Sequence, residues 1–374
     1  MVLRWLFFVM LLLAGGCASP GPPASPVAPP DSVVLAGALS GAPLLGRPYE
    51  ASELPEEELF ALSRSQQLFA EENTGHVRGE FQKARALHNA LLLSTNHGIR
   101  YYPYLTLPPG RAFENRVANC VSFTLLFVAM ARHLGLNAEF NEVDVPDAWD
   151  MRADETDDYF VLLRHVNGVV NLRDRSQVIV DLEMERYSPV YPQRAISPES
   201  MAALYYNNRA MELMTLGQTQ DAFLYLRKAL TLSADRAYIW SNLAVLYRRA
   251  GFAQEAEALY QQALQVRGDD LTAITNLGGL YRHMGEWALA DKLAELAERH
   301  RRANPYYLYT LARRNLDREE WDRAYDWVQQ AIAKEPGEPR FYELLADIYE
   351  HRGDGERARA LREHAESLLP DFML

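Results

Sequence analysis

The chain has 374 residues, of which 48% are hydrophobic and 24% charged, a globular balance with length enough for two domains. Its 20 Tyr and 14 Phe exclude disorder over the whole length. A formal net charge of −12, with no basic run interleaved with stacking aromatics, excludes nucleic acid as an expected partner.

Residues 1–16 read as a signal peptide, with Arg4 as its charge and an apolar core over 5–13 that is too short for a permanent span. Ala14-Gly15-Gly16 then leads into Cys17, a run that looks like a bacterial lipoprotein signal. That resemblance implies lipidation of Cys17 and a membrane anchor. No Asp follows the cysteine, which implies the outer membrane of a Gram-negative cell envelope, facing the periplasm. The competing reading is an ordinary secretory signal cut near Ala18. Six of the eleven residues from 20 to 30 are proline, an extended tether, and 31–49 are small and weakly patterned. Residues 17–48 are therefore expected to be tether and linker.

Residues 49–197 carry the pattern of an α+β domain. Pro55 and the carboxylates after it predict a helix over 54–72, and a second follows over 76–93. Residues 101–107 are extended around Pro103, and 112–117 form a short helix. Residues 120–134 are apolar on nearly every side, with Asn119 as cap and Gly135 as stop, so a buried helix is expected. Residues 138–145 alternate as a half-buried strand, and strand-like runs follow at 159–172 and 178–182. Between them, 146–158 is an acidic loop holding Trp149. It is either a solvated insertion or a selector for cationic amine substrates.

From residue 203 to 372 the chain repeats with a period of 34. Gly217, Gly251, Gly285 and Gly353 align, with Glu319 in the missing place. Small residues recur in three columns, one of them Ala210, Ala244, Gly278, Ala312 and Ala346. This pattern resembles five tetratricopeptide (TPR) repeats, each a helix–turn–helix whose small residues let the two helices approach closely. The fold expected is an α+β domain followed by an all-α solenoid.

Only two cysteines exist, and lipidation of Cys17 would leave Cys120 alone. A structural disulfide is then impossible, and Cys120 is either a reactive nucleophile or a small buried hydrophobe. Its place at a helix N-terminus favours the thiolate. A nucleophile needs a base and a group to orient that base. His165 lies on a strand after the cysteine helix, and Asp181 ends the apolar strand 178–180. A turn at 173–176 with an odd number of loop residues puts both on one face, whereas a hairpin at Asn167-Gly168 separates them.

The segments Asn119-Cys120-Val121-Ser122-Phe123, His165-Val166-Asn167 and Val178-Ile179-Val180-Asp181 resemble the transglutaminase-like, papain-like superfamily of peptidases, amidases and acyl transferases. Ala118 stands where such sequences commonly carry Gly. The resemblance implies a catalytic triad of Cys120, His165 and Asp181, with the Cys120 N–H meeting the oxyanion. No cofactor or metal is expected.

In TPR repeats the first helices line a groove, and the frame places Asn208, Asn242, Asn276, Tyr238, Tyr306, Arg248, Arg249, Arg282 and Arg313 there. By resemblance the asparagines clamp an extended peptide and the arginines suit acidic groups. Asparagine packed in the frame and arginine solvated on helices is the bland alternative. Two functions follow from the whole chain. One is an envelope-anchored thiol acyl-transfer enzyme acting on peptide or isopeptide amides, with repeats that recruit a protein. The other is a non-enzymatic scaffold whose first domain only binds.

Overall fold

The computed structural model describes residues 25–93, 98–144, 164–182 and 191–368. The expected signal peptide, Cys17, the acidic loop and residue 372 lie outside them.

Helix α6 (Cys120–His133) is the centre of the first domain. Val121, Phe123, Leu125, Leu126, Phe127 and Val128 are all fully buried, so the helix is covered on every side. Each such side chain contributes about 1.5–3 kcal/mol on burial. Asn119 starts the helix, its Oδ1 accepting from the Ser122 N–H at 2.9 Å. Gly135 ends it with φ at 78°, which a side chain rarely tolerates. Around it pack α3 (Arg64–Thr74), α4 (Glu80–Leu93) and α5 (Pro109–Asn115).

Against α6 lies an antiparallel sheet in the order β5-β4-β3-β6, formed by β3 (Asn137–Val143), β4 (His165–Asn171), β5 (Gln177–Val180) and β6 (Gln193–Ile196). The strand β6 had no counterpart in the sequence pattern. A separate two-stranded parallel ribbon pairs β1 (Arg100–Tyr101) with β2 (Val117–Ala118), just ahead of Cys120. Asn167-Gly168 is not a hairpin turn. Gly168 sits mid-strand opposite Val180 because α6 passes close: a Cβ there would lie 3.1 Å from Phe127 Cδ1. The hairpin turns at residues 172–176 instead, where Leu172 N–H donates to Ser176 O at 2.9 Å.

Two expectations near the N-terminus fail. Residues 31–49 are not a linker, since α1 (Ser32–Ser40) and α2 (Ala42–Leu45) are ordered and α1 packs on the repeats, where Tyr247 Oη donates to Ala38 O at 2.6 Å. The helix expected over 54–72 begins only at Arg64, behind a Ser63–Gln66 capping box. Residues before it are held in place by tertiary contacts: Leu59 is buried, and the Glu57 N–H donates to Tyr206 Oη at 3.0 Å.

Five helical hairpins follow: α7 (Pro198–Thr215) with α8 (Thr219–Leu232), α9 (Ala237–Arg249) with α10 (Ala253–Val266), α11 (Leu271–Met284) with α12 (Trp287–Ala303), α13 (Pro305–Leu316) with α14 (Trp321–Lys334), and α15 (Pro339–His351) with α16 (Gly355–Ser367). The small-residue columns are buried at the helix contacts, as in Ala210, Ala244, Ala312 and Ala346. The array is not a separate body. One apolar core runs from α6 into the first three repeats, and a second joins Val143 and Tyr191 to repeats four and five.

Two substitutions probe this packing. Gly168→Ala forces a methyl group against buried Phe127, and a loss of about 1–3 kcal/mol is expected in denaturant unfolding. Glu319 occupies the repeat-glycine place with φ at 61°. Glu319→Gly should gain about 0.5–1 kcal/mol in the same measurement, because glycine adopts that conformation without steric cost.

Candidate active site

The five-residue turn sets the β4–β5 register so that Gly168 faces Val180. Asn167 then stands opposite Asp181, and His165, two residues away, shares their face. The odd loop length therefore closes the pair that the sequence pattern proposed. His165 Nε2 donates to Asp181 Oδ2 at 2.5 Å. With Nε2 engaged, Nδ1 is the nitrogen left for the Cys120 thiol, which contacts the same imidazole. Cys120, at the start of α6, is part-buried, the Asp181 carboxylate is 1% exposed and the His165 side chain 17%.

Burial alone would push the His165 imidazole toward its neutral form. The hydrogen bonds to Asp181 and Cys120 outweigh it, and its pKa is raised from 6.5 to about 10.

Asp181 is itself held by residues that the sequence reading passed over. His88 on α4 lies with Nε2 3.0 Å from Asp181 O, and since a carbonyl only accepts, that nitrogen carries the proton. Burial pushes the His88 pKa down, so the ring is neutral there. Asn167 Nδ2 donates to Asp181 Oδ2 at 3.4 Å, and Asn141 Nδ2 donates to Asn167 Oδ1 at 2.9 Å and to Gln193 Oε1 at 3.0 Å. The row runs across three strands beneath the histidine. Asparagines at buried positions of two neighbouring strands were the signal for it.

Asn119 is a structural cap, its Nδ2 donating to Thr106 Oγ1 at 2.7 Å. The Cys120 backbone N–H precedes the first intrahelical bond, from Phe123 N to Asn119 O at 3.0 Å. Close to Cys120 along the chain, a cleft of about 420 Å³ is lined by Arg100, Tyr101, Tyr102, Leu105 and Val117. Tyr102 is about half exposed there, at 51%. Among the described residues no cluster of His, Cys, Asp and Glu has the makings of a metal site, and no helix is long and apolar enough to cross a membrane.

The groove residues expected in the repeats are not gathered into one open site. Tyr238, Asn242, Asn276 and Tyr306 are buried. Tyr238 lies under the Arg164 guanidinium at 5.4 Å, Tyr306 meets the Tyr191 ring at 5.5 Å, and Asn242 Nδ2 donates to Asn207 Oδ1 at 2.8 Å. The chain's own first domain therefore covers Tyr238 and Tyr306. Asn208 and Arg248 are half-buried, while Arg249, Arg282 and Arg313 are exposed at the ends of their helices.

Residues 67–162 match the transglutaminase-like superfamily, and residues 203–236 and 235–303 match tetratricopeptide repeats. The chain carries a transglutaminase-like domain followed by a helical TPR region. No curated protein matches it. Among solved structures, MamA MSR-1 C2 is 20% identical with a TM-score of 0.24, over 44% of this chain and 95% of that one. YrrB, described as a TPR protein with an unusual peptide-binding site, is 18% identical with a TM-score of 0.25, over 45% of this chain and 87% of its own. MamA 41-end from Desulfovibrio magneticus RS-1 is 17% identical with a TM-score of 0.26, over 46% and 97%.

The raised His165 pKa ties the site to stability. Unfolded, the ring loses its proton near pH 6.5; folded, it keeps it to about 10. The contribution is therefore complete below pH 6.5 and fades as pH rises to 10. Thermal melts of wild type and His165→Gln should differ most at pH 6 and converge toward pH 10.

Proposed function

We propose that the first domain is a cysteine acyl-transfer enzyme acting on peptide or isopeptide amides. The observation that carries it is the single imidazole bridging the Cys120 thiol and the Asp181 carboxylate. In this reading Cys120 Sγ attacks the amide carbonyl carbon as a thiolate, and the oxyanion takes the Cys120 N–H. The His165 imidazolium gives its proton to the departing amine as the C–N bond breaks, leaving a thioester. Neutral His165 then takes a proton from water or from an acceptor amine, which attacks the thioester and releases Cys120. Asp181 keeps the ring in one tautomer throughout, and His88 and Asn167 keep Asp181 in place.

The aromatic cleft at Tyr101 and Tyr102 suits the chain of a peptide substrate. TPR repeats are a protein-interaction fold, and a protein partner would meet their exposed surface, including Arg282 and Arg313. Lipidation of Cys17 would hold the enzyme at the outer membrane facing the periplasm. In the alternative scaffold reading the first domain only binds and Cys120 is an inert thiol.

Alkylation by iodoacetamide at pH 6 separates the two. An ordinary thiol with pKa about 8.5 is roughly 0.3% thiolate there. Wild-type Cys120 should react roughly 100-fold faster than Cys120 in His165→Ala. Equal, slow rates in both proteins would leave Cys120 a buried thiol in a binding domain.

A further inference from the structure

The residue immediately before the candidate base is anchored in the repeats. Arg164 enters β4, its side chain is only 6% exposed, and its Nη1 lies 4.0 Å from Glu142 Oε1. Its guanidinium also lies over the ring of Tyr238 on α9. Glu142 is on β3, opposite Val166, with Val143 opposite His165. From the repeats, Arg236 at the N-cap of α9 reaches the same carboxylate, Nη1 donating to Glu142 Oε2 at 2.9 Å. Arg194 on β6 completes the set, its Nη2 donating to that oxygen at 2.6 Å.

Three guanidiniums thus meet one carboxylate that is buried between the sheet and the second repeat. Asp144 and Asp235, both largely exposed, stand at the margins, 3.9 Å from Arg164 and Arg236. Burial works against the Glu142 charge, but Arg164, Arg194 and Arg236 together hold its pKa below the usual carboxylate range. Of the three, only Arg236 belongs to the repeats. Because Glu142 and Arg164 flank the strand end that carries His165, this link fixes where the imidazole starts. Catalytic geometry tolerates shifts of only about 0.5 Å.

We propose that Arg236 of the second repeat is a positioning residue for the Cys120–His165 pair, acting through Glu142 and Arg164. The repeats are then part of the enzyme's working structure as well as a surface for a partner. The inference rests on the thiol-enzyme reading above.

The test is the pH profile of Cys120 alkylation in the full chain, with near-UV circular dichroism showing that each variant is folded. In Arg236→Gln the Glu142 carboxylate loses its cross-domain donor. The rate at pH 6 should fall about tenfold and the midpoint move up toward the ordinary thiol value near 8.5. Arg236→Lys, which keeps the charge, should recover part of the loss. Glu142→Asp withdraws the carboxylate by one methylene while keeping its charge, and it should shift the profile in the same direction. A folded Arg236→Gln or Glu142→Asp protein with the wild-type midpoint overturns the proposal. If wild type itself titrates as an ordinary thiol, the enzyme reading falls and this one with it; a reactive wild type with unchanged variants overturns the positioning role alone.

Discussion

Five residues between Asn171 and Gln177 turn β4 into β5, and that odd number places Asn167 opposite Asp181. One residue more or fewer would flip Asp181 to the other face and leave His165 without its acceptor. The close approach of α6 to β4 at Gly168 locks the strand against the helix that begins with Cys120. Register and close approach together bring Cys120 and Asp181 to one imidazole. The polar row of Asn167, Asn141 and Gln193 then has a definite task, since a carboxylate as buried as Asp181 needs a donor such as Asn167, while His88 holds the backbone carbonyl of the same residue.

The same economy joins the two halves of the molecule. Residues 25–57 run along α8 and α10, where Tyr49 meets Phe223 at 5.9 Å and Gln265 Nε2 donates to Ser25 Oγ at 2.9 Å. On the first-helix face, Thr106 N–H donates to Glu212 Oε1 at 2.6 Å, and Glu142 binds Arg236. Thr106 in turn accepts from Asn119, the cap of the cysteine helix. The helix that begins with Cys120 and the strand β3 that pairs with the His165 strand are thus each tied to a repeat by a part-buried polar contact. Breaking a buried ion pair on one side typically costs about 3–5 kcal/mol, so these ties hold the domains in a fixed relation.

Some of the sequence signals carried their own physical reason and held. The 34-residue period needed no tertiary knowledge, because small residues at helix contacts are a requirement of every hairpin in the array. Cys120 behind Asn119 was legible for the same cause, a cap and an apolar run being local facts. Others were local facts that a distant contact overruled. Asn-Gly favours a hairpin, but Gly168 sits mid-strand against α6, where a Cβ would press on Phe127 at 3.1 Å. Pro55 and its carboxylates favour a helix start, but Glu57 and Leu59 are held by Tyr206 and the core, and the helix waits for Ser63.

By itself, then, the sequence determined the two-part architecture, the helix that begins with Cys120 and the candidates His165 and Asp181. Periodicity, capping and turn chemistry depend on neighbours along the chain, and those are visible in the letters. Tertiary structure alone decided that His165 meets Asp181, that Asn167 reaches its carboxylate and His88 its backbone carbonyl, and that Tyr238 and Tyr306 face the chain's own first domain. Each of those depends on which surfaces meet after the strands have paired and the repeats have stacked. Long-range packing chooses among arrangements that local pattern leaves equal.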